Sequence, residues 1–256
     1  MLIDAEAVVR SYDAVREALP ALAVLLTSDS RELRAKTANL LAWFPESAAT
    51  SIPLLKAFIA DEDSPGAAAT GVVALGLLGE PATVPFIRRY LDSPIFELRW
   101  ASAFALTRIG IADPAVVHVL TQVVARPPEK TGTMSFLSGS YMRLAAMVLA
   151  DTSEATMLRA VDAMLVGLAD CRGVEAFDDR YYTAETLFRL VFPDDPAEPP
   201  QSSGDLSDVQ QRVVRFVADQ DEAGWPSRGL DAFRRWKAPT RHFDLRVYAG
   251  IVQAGQ

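Results

Sequence analysis

Apolar residues recur along this chain at spacings of three and four, and Asp, Ser, Pro or Gly interrupts them every 12 to 18 residues. Such spacing lines one face of a helix with apolar side chains, and the interrupting residues are those that begin and end helices. Strand signals are scarce. There is little β-branched alternation, and no Asn-Gly or Asp-Gly turn separates two apolar runs. The pattern predicts an all-α chain of many short helices.

A longer period overlies the helical one. Leu19-Pro20-Ala21-Leu22 leads to Leu26, Ile52-Pro53-Leu54-Leu55 to Ile59, and Val84-Pro85-Phe86-Ile87 to Leu91. The prolines lie 33 and 32 residues apart, and His118 takes the proline slot 33 residues further on, within Val117-His118-Val119-Leu120. A fifth copy, Val161-Asp162-Ala163-Met164, follows after 44 residues, and a degenerate sixth runs Gln210, Val213, Val217. A second helix type alternates with these. It comprises Asp29–Arg34 with Ala38, Leu41 and Phe44, the stretch from Asp63 through Leu75 to Gly79, and Leu98-Arg99 with Ala103, Leu106 and Ile109. A looser copy surrounds Tyr141-Met142-Arg143. Each unit is therefore helix, turn, helix. A single such pair cannot bury its apolar face, whereas a stack of three or more makes a continuous core.

These features resemble the HEAT-repeat family, in particular the short bacterial HEAT-like repeats. The acid-then-Leu-Arg helix start (Asp29–Arg34, Asp92–Arg99), the small-residue cores Ala38–Leu41 and Ala103–Leu106, and the Val-Pro start of the second helices carry the resemblance. The second unit departs from it at Gly66-Ala67-Ala68, where the arginine is missing. The resemblance implies a right-handed α-solenoid of about five to six helical pairs over residues 1–256. Its regular part is 1–171, with degenerate repeats and a cap at 172–256. Proline is tolerated in the first turn of a second helix, whose N–H groups have no intrahelical acceptor, and Asp or Ser before a first helix is placed to cap it.

Composition narrows the function classes. The 256 residues carry a net charge of -8 with a pI near 4.9, which argues against nucleic acid as the main partner. One cysteine, Cys171, excludes an internal disulfide framework, and two histidines, His118 and His242, argue against a multi-histidine metal centre. The N-terminus lacks the basic and apolar regions of a signal peptide. The longest charge-free run, Ser64–Gly79, is 16 residues, short of the roughly 18 expected of a membrane span. A cytoplasmic protein without metal or cofactor is the expectation. Phe192–Leu206 holds four prolines and reads as a mobile loop, and residues 151–200 carry 11 acids against 4 bases.

Catalytic signatures are absent. No GxxxxGK[ST], GxGxxG, HExxH or GxSxG occurs. His118 reads as a surface histidine and His242 as a surface or capping one. Cys171 follows Asp170 at a helix C-terminus, where the dipole disfavours a thiolate. Asp178-Asp179-Arg180-Tyr181-Tyr182 reads as a helix start or a contact ridge. The tail interleaves Arg228, Arg234, Arg235, Lys237, Arg241 and Arg246 with Trp225, Phe233, Trp236 and Phe243, a basic face for a cap or an acidic partner.

The second helices offer the sharpest candidate. With Ile52, Leu55 and Ile59 as core, the opposite direction falls one and four residues after the proline slot. Those slots read Ala21, Leu54, Phe86, Val119, Ala163 and Val24, Ala57, Arg89, Gln122, Val166. An apolar stripe of this kind is either an open binding groove or packing between neighbouring second helices. Leu54, Phe86, Arg89, Val119 and Gln122 are the candidate partner-binding residues, with Phe86 and Arg89 as anchors. The expectation is a non-enzymatic scaffold or adaptor binding a protein or peptide there. The rivals are an enzyme on the same fold, for which the resemblance offers DNA glycosylases and bilin lyases, and a subunit whose groove a second copy fills.

Overall fold

The computed structural model describes residues 5–126, 141–150, 154–170, 187, 191–192 and 203–222. All regular structure among them is helical. The helices are α1 (Ala5–Leu22), α2 (Arg31–Ala42), α3 (Ala48–Asp61), α4 (Pro65–Leu78), α5 (Val84–Arg88), α6 (Phe96–Arg108), α7 (Pro114–Ala125), α8 (Tyr141–Ala150), α9 (Glu154–Asp170) and α10 (Asp208–Glu222). They fall into two compact units, divided within α7 after Leu120.

In the first unit the first helices of successive pairs stack on one another, α2 on α4 and α4 on α6, while α3 packs on α4 and α5 on α6. Helix α4 sits at the centre. Its residues Ala67 through Gly76, together with Leu78, are all buried, so a charge-free sequence is the only kind that suits it. Small residues set the spacing. A Cβ added at Gly76 would lie 2.5 Å from that of Ala105 on α6, and one at Gly71 would lie 2.6 Å from Ile59 Cγ1 on α3. Trp100 is fully buried on α6 and stacks on Phe104, with ring centroids 5.2 Å apart.

The helix ends follow the expected chemistry. Ser30 caps α2, its hydroxyl accepting from Leu33 N at 3.3 Å. Asp113 caps α7, accepting from Ala115 N and Val116 N. Gly79 (φ 72°) and Gly110 (φ 90°) take the left-handed conformation that ends α4 and α6. The Leu-Arg start has a definite role. Arg34 donates to the Ser28 carbonyl at 2.9 Å and Arg99 to the Ser93 carbonyl at 2.6 Å, six residues back in each case. Arg34 also makes a two-pronged bond to Glu62 at 2.6 and 2.7 Å, tying the start of α2 to the loop before α4. At the matching place in α4 stands Ala68, and there Glu62 instead accepts from Ser64 N at 2.9 Å.

Two expectations need correction. Pro20 and Pro53 are not in first turns: Pro20 lies near the end of α1, and Pro53 stands five residues into α3. A proline there removes the N–H that would bond the carbonyl of Ala49. Both residues are exposed, so water can serve that carbonyl. Pro85, near the start of α5, is as expected.

In the second unit α8 packs on α9 and α9 on α10, with Val161, Met164, Leu168, Val213 and Val214 buried. Ser207 and Gln210 cap α10 reciprocally, each accepting from the other's backbone N–H. Of the expected loop at 192–206 only the ends are described, and residues 193–202 lie outside the described residues. Phe192 and Leu206 are buried, Ser203–Asp205 forms a 3-10 turn, and Gln210 bonds the Val191 carbonyl at 3.1 Å. Apolar residues at the ends of the proline-rich stretch are recruited to the core.

Two stability predictions follow from this packing. Gly76→Ala should cost about 1–3 kcal/mol, because its Cβ meets α6 backbone. Gly66→Ala, whose Cβ meets open space in the first turn of α4, should gain about 0.5–1 kcal/mol. Denaturant unfolding of the two variants checks both signs. The Arg34 hydrogen bond holds the Glu62 carboxyl below its ordinary value of 4.5, against an opposing effect of burial. A lowered carboxylate contributes stability that is present above the ordinary value and lost as pH falls through the folded one. Glu62→Gln should therefore melt below the parent at neutral pH, and the gap should close under acid. A gap that persists at low pH would sink this account.

Candidate functional site

The face presented by α3 is rotated from the direction read off the sequence. Ala48, Ser51, Leu55, Phe58 and Ile59 are its buried residues. Ser51 and Phe58 widen the core to one side, so the exposed line centres on Pro53 and Ala57. Leu54, 37% exposed, marks one edge of that line, and Lys56, half-buried, marks the other.

The two sets of slots after the proline position separate accordingly. Four residues on, Val24 is 69% exposed, and Ala57 and Arg89 are exposed. One residue on, Ala21 and Leu54 are exposed, Phe86 is half-buried and Val119 is only 8% exposed. The stripe is thus open surface at the fourth residue and increasingly a packing edge at the first. Val119 does not line a groove; it belongs to the core formed by Val116, Val117 and Leu120. Gln122 is exposed but belongs to the second unit, as do Ala163 and Val166.

Phe86 is the focus of the open part. Its ring meets Tyr90 edge-on, with centroids 5.8 Å apart. The Arg89 guanidinium carbon lies 4.1 Å from the Phe86 centroid, and Arg89 Nε donates to the Phe86 carbonyl at 3.4 Å. From α3, Lys56 Nζ comes within 5.6 Å of the same centroid. The site therefore holds two cations on one ring. Such contacts contribute roughly 0.5–1 kcal/mol each at exposed positions. The neighbouring Arg88 points elsewhere and pairs with Asp113, holding that carboxyl below its usual range. Sequence reasoning found Leu54, Phe86 and Arg89 but missed Lys56 and Tyr90. The signal for Lys56 was its place three residues after Pro53, on the edge of α3 that reaches the next second helix.

Among the described residues no three His, Cys, Asp or Glu side chains converge as metal donors, and no helix is long and apolar enough to cross a membrane. His118 is exposed. Cys171, the Asp178–Tyr182 ridge, His242 and the basic-aromatic tail lie outside the described residues.

Comparison with known proteins bears on the same region. The family model for HEAT repeats matches residues 52–134. This stretch is similar to HEAT repeats. It contains the Lys56–Phe86–Arg89 site, which is formed by the second helices of two successive helical pairs. No curated protein matches the chain. Among solved structures, human deoxyhypusine hydroxylase in complex with glycerol aligns over 84% of this chain and 81% of that one. The identity is 18% and the TM-score 0.36, and a likeness at that level carries no functional argument.

The burial of the stripe makes a direct prediction. Val119→Ser should destabilise the protein by about 2 kcal/mol, by removing buried methyls and burying a hydroxyl. Val24→Ser should change stability by no more than about 0.5 kcal/mol. Equal effects in thermal melts would mean that the two sets of slots do not differ as described.

Proposed function

We propose that this protein is a non-enzymatic interaction scaffold that docks a protein or peptide on the second-helix face of its HEAT repeats, with Phe86 and Arg89 as anchors. The observation that carries the reading is the state of the anchors. Arg89 is already seated on Phe86, and the aromatic ring is only half-buried. Arginine and aromatic side chains that are ordered before binding lose less freedom when a partner arrives, and they are the types enriched among binding hot spots. Repeat arrays offer this kind of extended surface. Leu54 contributes an apolar edge, and Ala57 leaves room for a partner's side chain between Lys56 and Leu54.

The test uses substitutions at exposed positions, which spare the core. Ala57→Arg combined with Arg89→Ala should shift stability by no more than about 1 kcal/mol, the size of the cation–ring contact it removes. It should nevertheless abolish capture of the partner from native cell extract by the full chain. Capture that survives this pair of changes would place the partner elsewhere on the protein. Failure of the parent chain to retain any partner would sink the scaffold reading.

A further inference from the structure

Five cations of the first unit have a carboxylate at hand. Arg10 pairs with Glu6, Arg16 with Asp13, Lys36 with Glu32, Arg34 with Glu62 and Arg88 with Asp113. Lys56 and Arg89 are distinguished by sharing one aromatic ring. Among the described residues neither has an ion-pair partner, and both are gathered on the Phe86 ring. The sum of the two distances, 9.7 Å, bounds the separation of their charges.

A ring face attracts cations but neutralises nothing. Arg89 uses Nε on the Phe86 carbonyl, which leaves the N–H groups of its two terminal nitrogens for a ligand, and the Lys56 ammonium has three donors. Two like charges held on one ring, in a chain of net charge -8, make a local positive site within an acidic molecule. An anion set between them relieves their repulsion and satisfies both donor sets. The apolar surface of Phe86, and of Ala57 next to Lys56 on α3, adjoins them, so the ligand's charge must sit beside a hydrophobic group.

We propose that this site receives an acidic-apolar segment of a partner protein. A carboxylate of the segment lies between Lys56 and Arg89, and the adjacent apolar side chain lies against Phe86 and Ala57. The inference rests on the reading of this face as the docking surface and specifies the chemistry of what docks. Nucleic acid fits less well, because affinity for a phosphate backbone grows with the number of phosphates neutralised, and only two cations stand here in an acidic chain.

The experiment selects short random peptides displayed on phage against the full chain, then measures the enriched peptides by fluorescence anisotropy. Enriched peptides should carry Asp or Glu next to Leu, Ile or Phe. Replacing those acids by Asn or Gln should weaken binding roughly tenfold or more, as should Lys56→Glu with Arg89→Glu, while the melting temperature of that variant stays near the parent's. Raising salt from about 50 to about 500 mM should also weaken binding, since screening shortens from roughly 14 Å to roughly 4 Å. Neutral or basic peptides whose binding is blocked by Ala57→Arg would overturn the acidic partner and leave the docking face standing. Peptides that ignore Ala57→Arg, or no enrichment at all, would overturn both. A short single-stranded oligothymidylate that binds more tightly than the acidic peptides, and is lost on the same charge reversal, would make the ligand a nucleic acid and overturn the proposal.

Discussion

The close approach of α4 to its neighbours governs the rest of the first unit. A helix buried along nearly its whole length cannot carry charge and must present small residues wherever another backbone comes near. Gly76 meets Ala105 of α6, and Gly71 meets Ile59 of α3. A larger side chain at Gly76 would push the first-helix stack apart, and one at Gly71 would push α3 off α4. The second helices ride on that stack, α3 on α4 and α5 on α6. The spacing of α4 and α6 therefore sets how far α3 stands from α5. The long Lys56 side chain spans that distance, bringing its Nζ to 5.6 Å from the Phe86 centroid.

Polar groups fix the order and angle of the stack. Arg34 joins three things at once: the carbonyls of the loop before its own helix, the carboxylate of Glu62, and through Glu62 the backbone of Ser64 at the start of α4. The Glu62 side chain is almost fully buried in this arrangement, at 1% exposure. A buried carboxylate is tolerable only when its oxygens are filled, and here they are filled by the neighbouring repeat's arginine and by the chain's own backbone. Ser102 acts likewise between α6 and α5, its buried hydroxyl donating to the Ile87 carbonyl at 2.8 Å.

Much of this was legible in the sequence, and the reasons are local. Pro85 at the start of α5, the charge-free run before Gly79 and the Leu-Arg helix starts each reflect a requirement of one helix or one loop, so each is visible within a few residues. The rotation of α3 was not legible in this way. Ile52, Leu55 and Ile59 suggested one buried direction, but Ser51 and Phe58 are buried as well, Phe58 beside Gly71 of α4, and turn the face. That turn moves Leu54 to an edge and brings Lys56 to the opposite edge. Val119 shows the same limit. Its slot matches those of Leu54 and Phe86, yet it is core, because burial at an edge depends on what stands beside it.

What stands beside Phe86 is decided by the brevity of α5. The helix has five residues, where α3 has 14. After Arg88 the chain continues in tight turns, with Tyr90 N bonding the Ile87 carbonyl at 3.0 Å and Leu91 N the Arg88 carbonyl at 3.1 Å. These three-residue bonds wind the chain more narrowly than an α-helix does. They turn Leu91 into the core, at 4% exposure, and leave Arg89 and Tyr90 beside the ring of Phe86. In an uninterrupted α-helix Arg89 would lie about 60° from Phe86 around the axis, still near it, but Tyr90 and Leu91 would be displaced from their present places. The tight turn thus serves two ends with one distortion. It completes the core under α5, and it gathers an aromatic pair and a cation on the surface that faces Lys56.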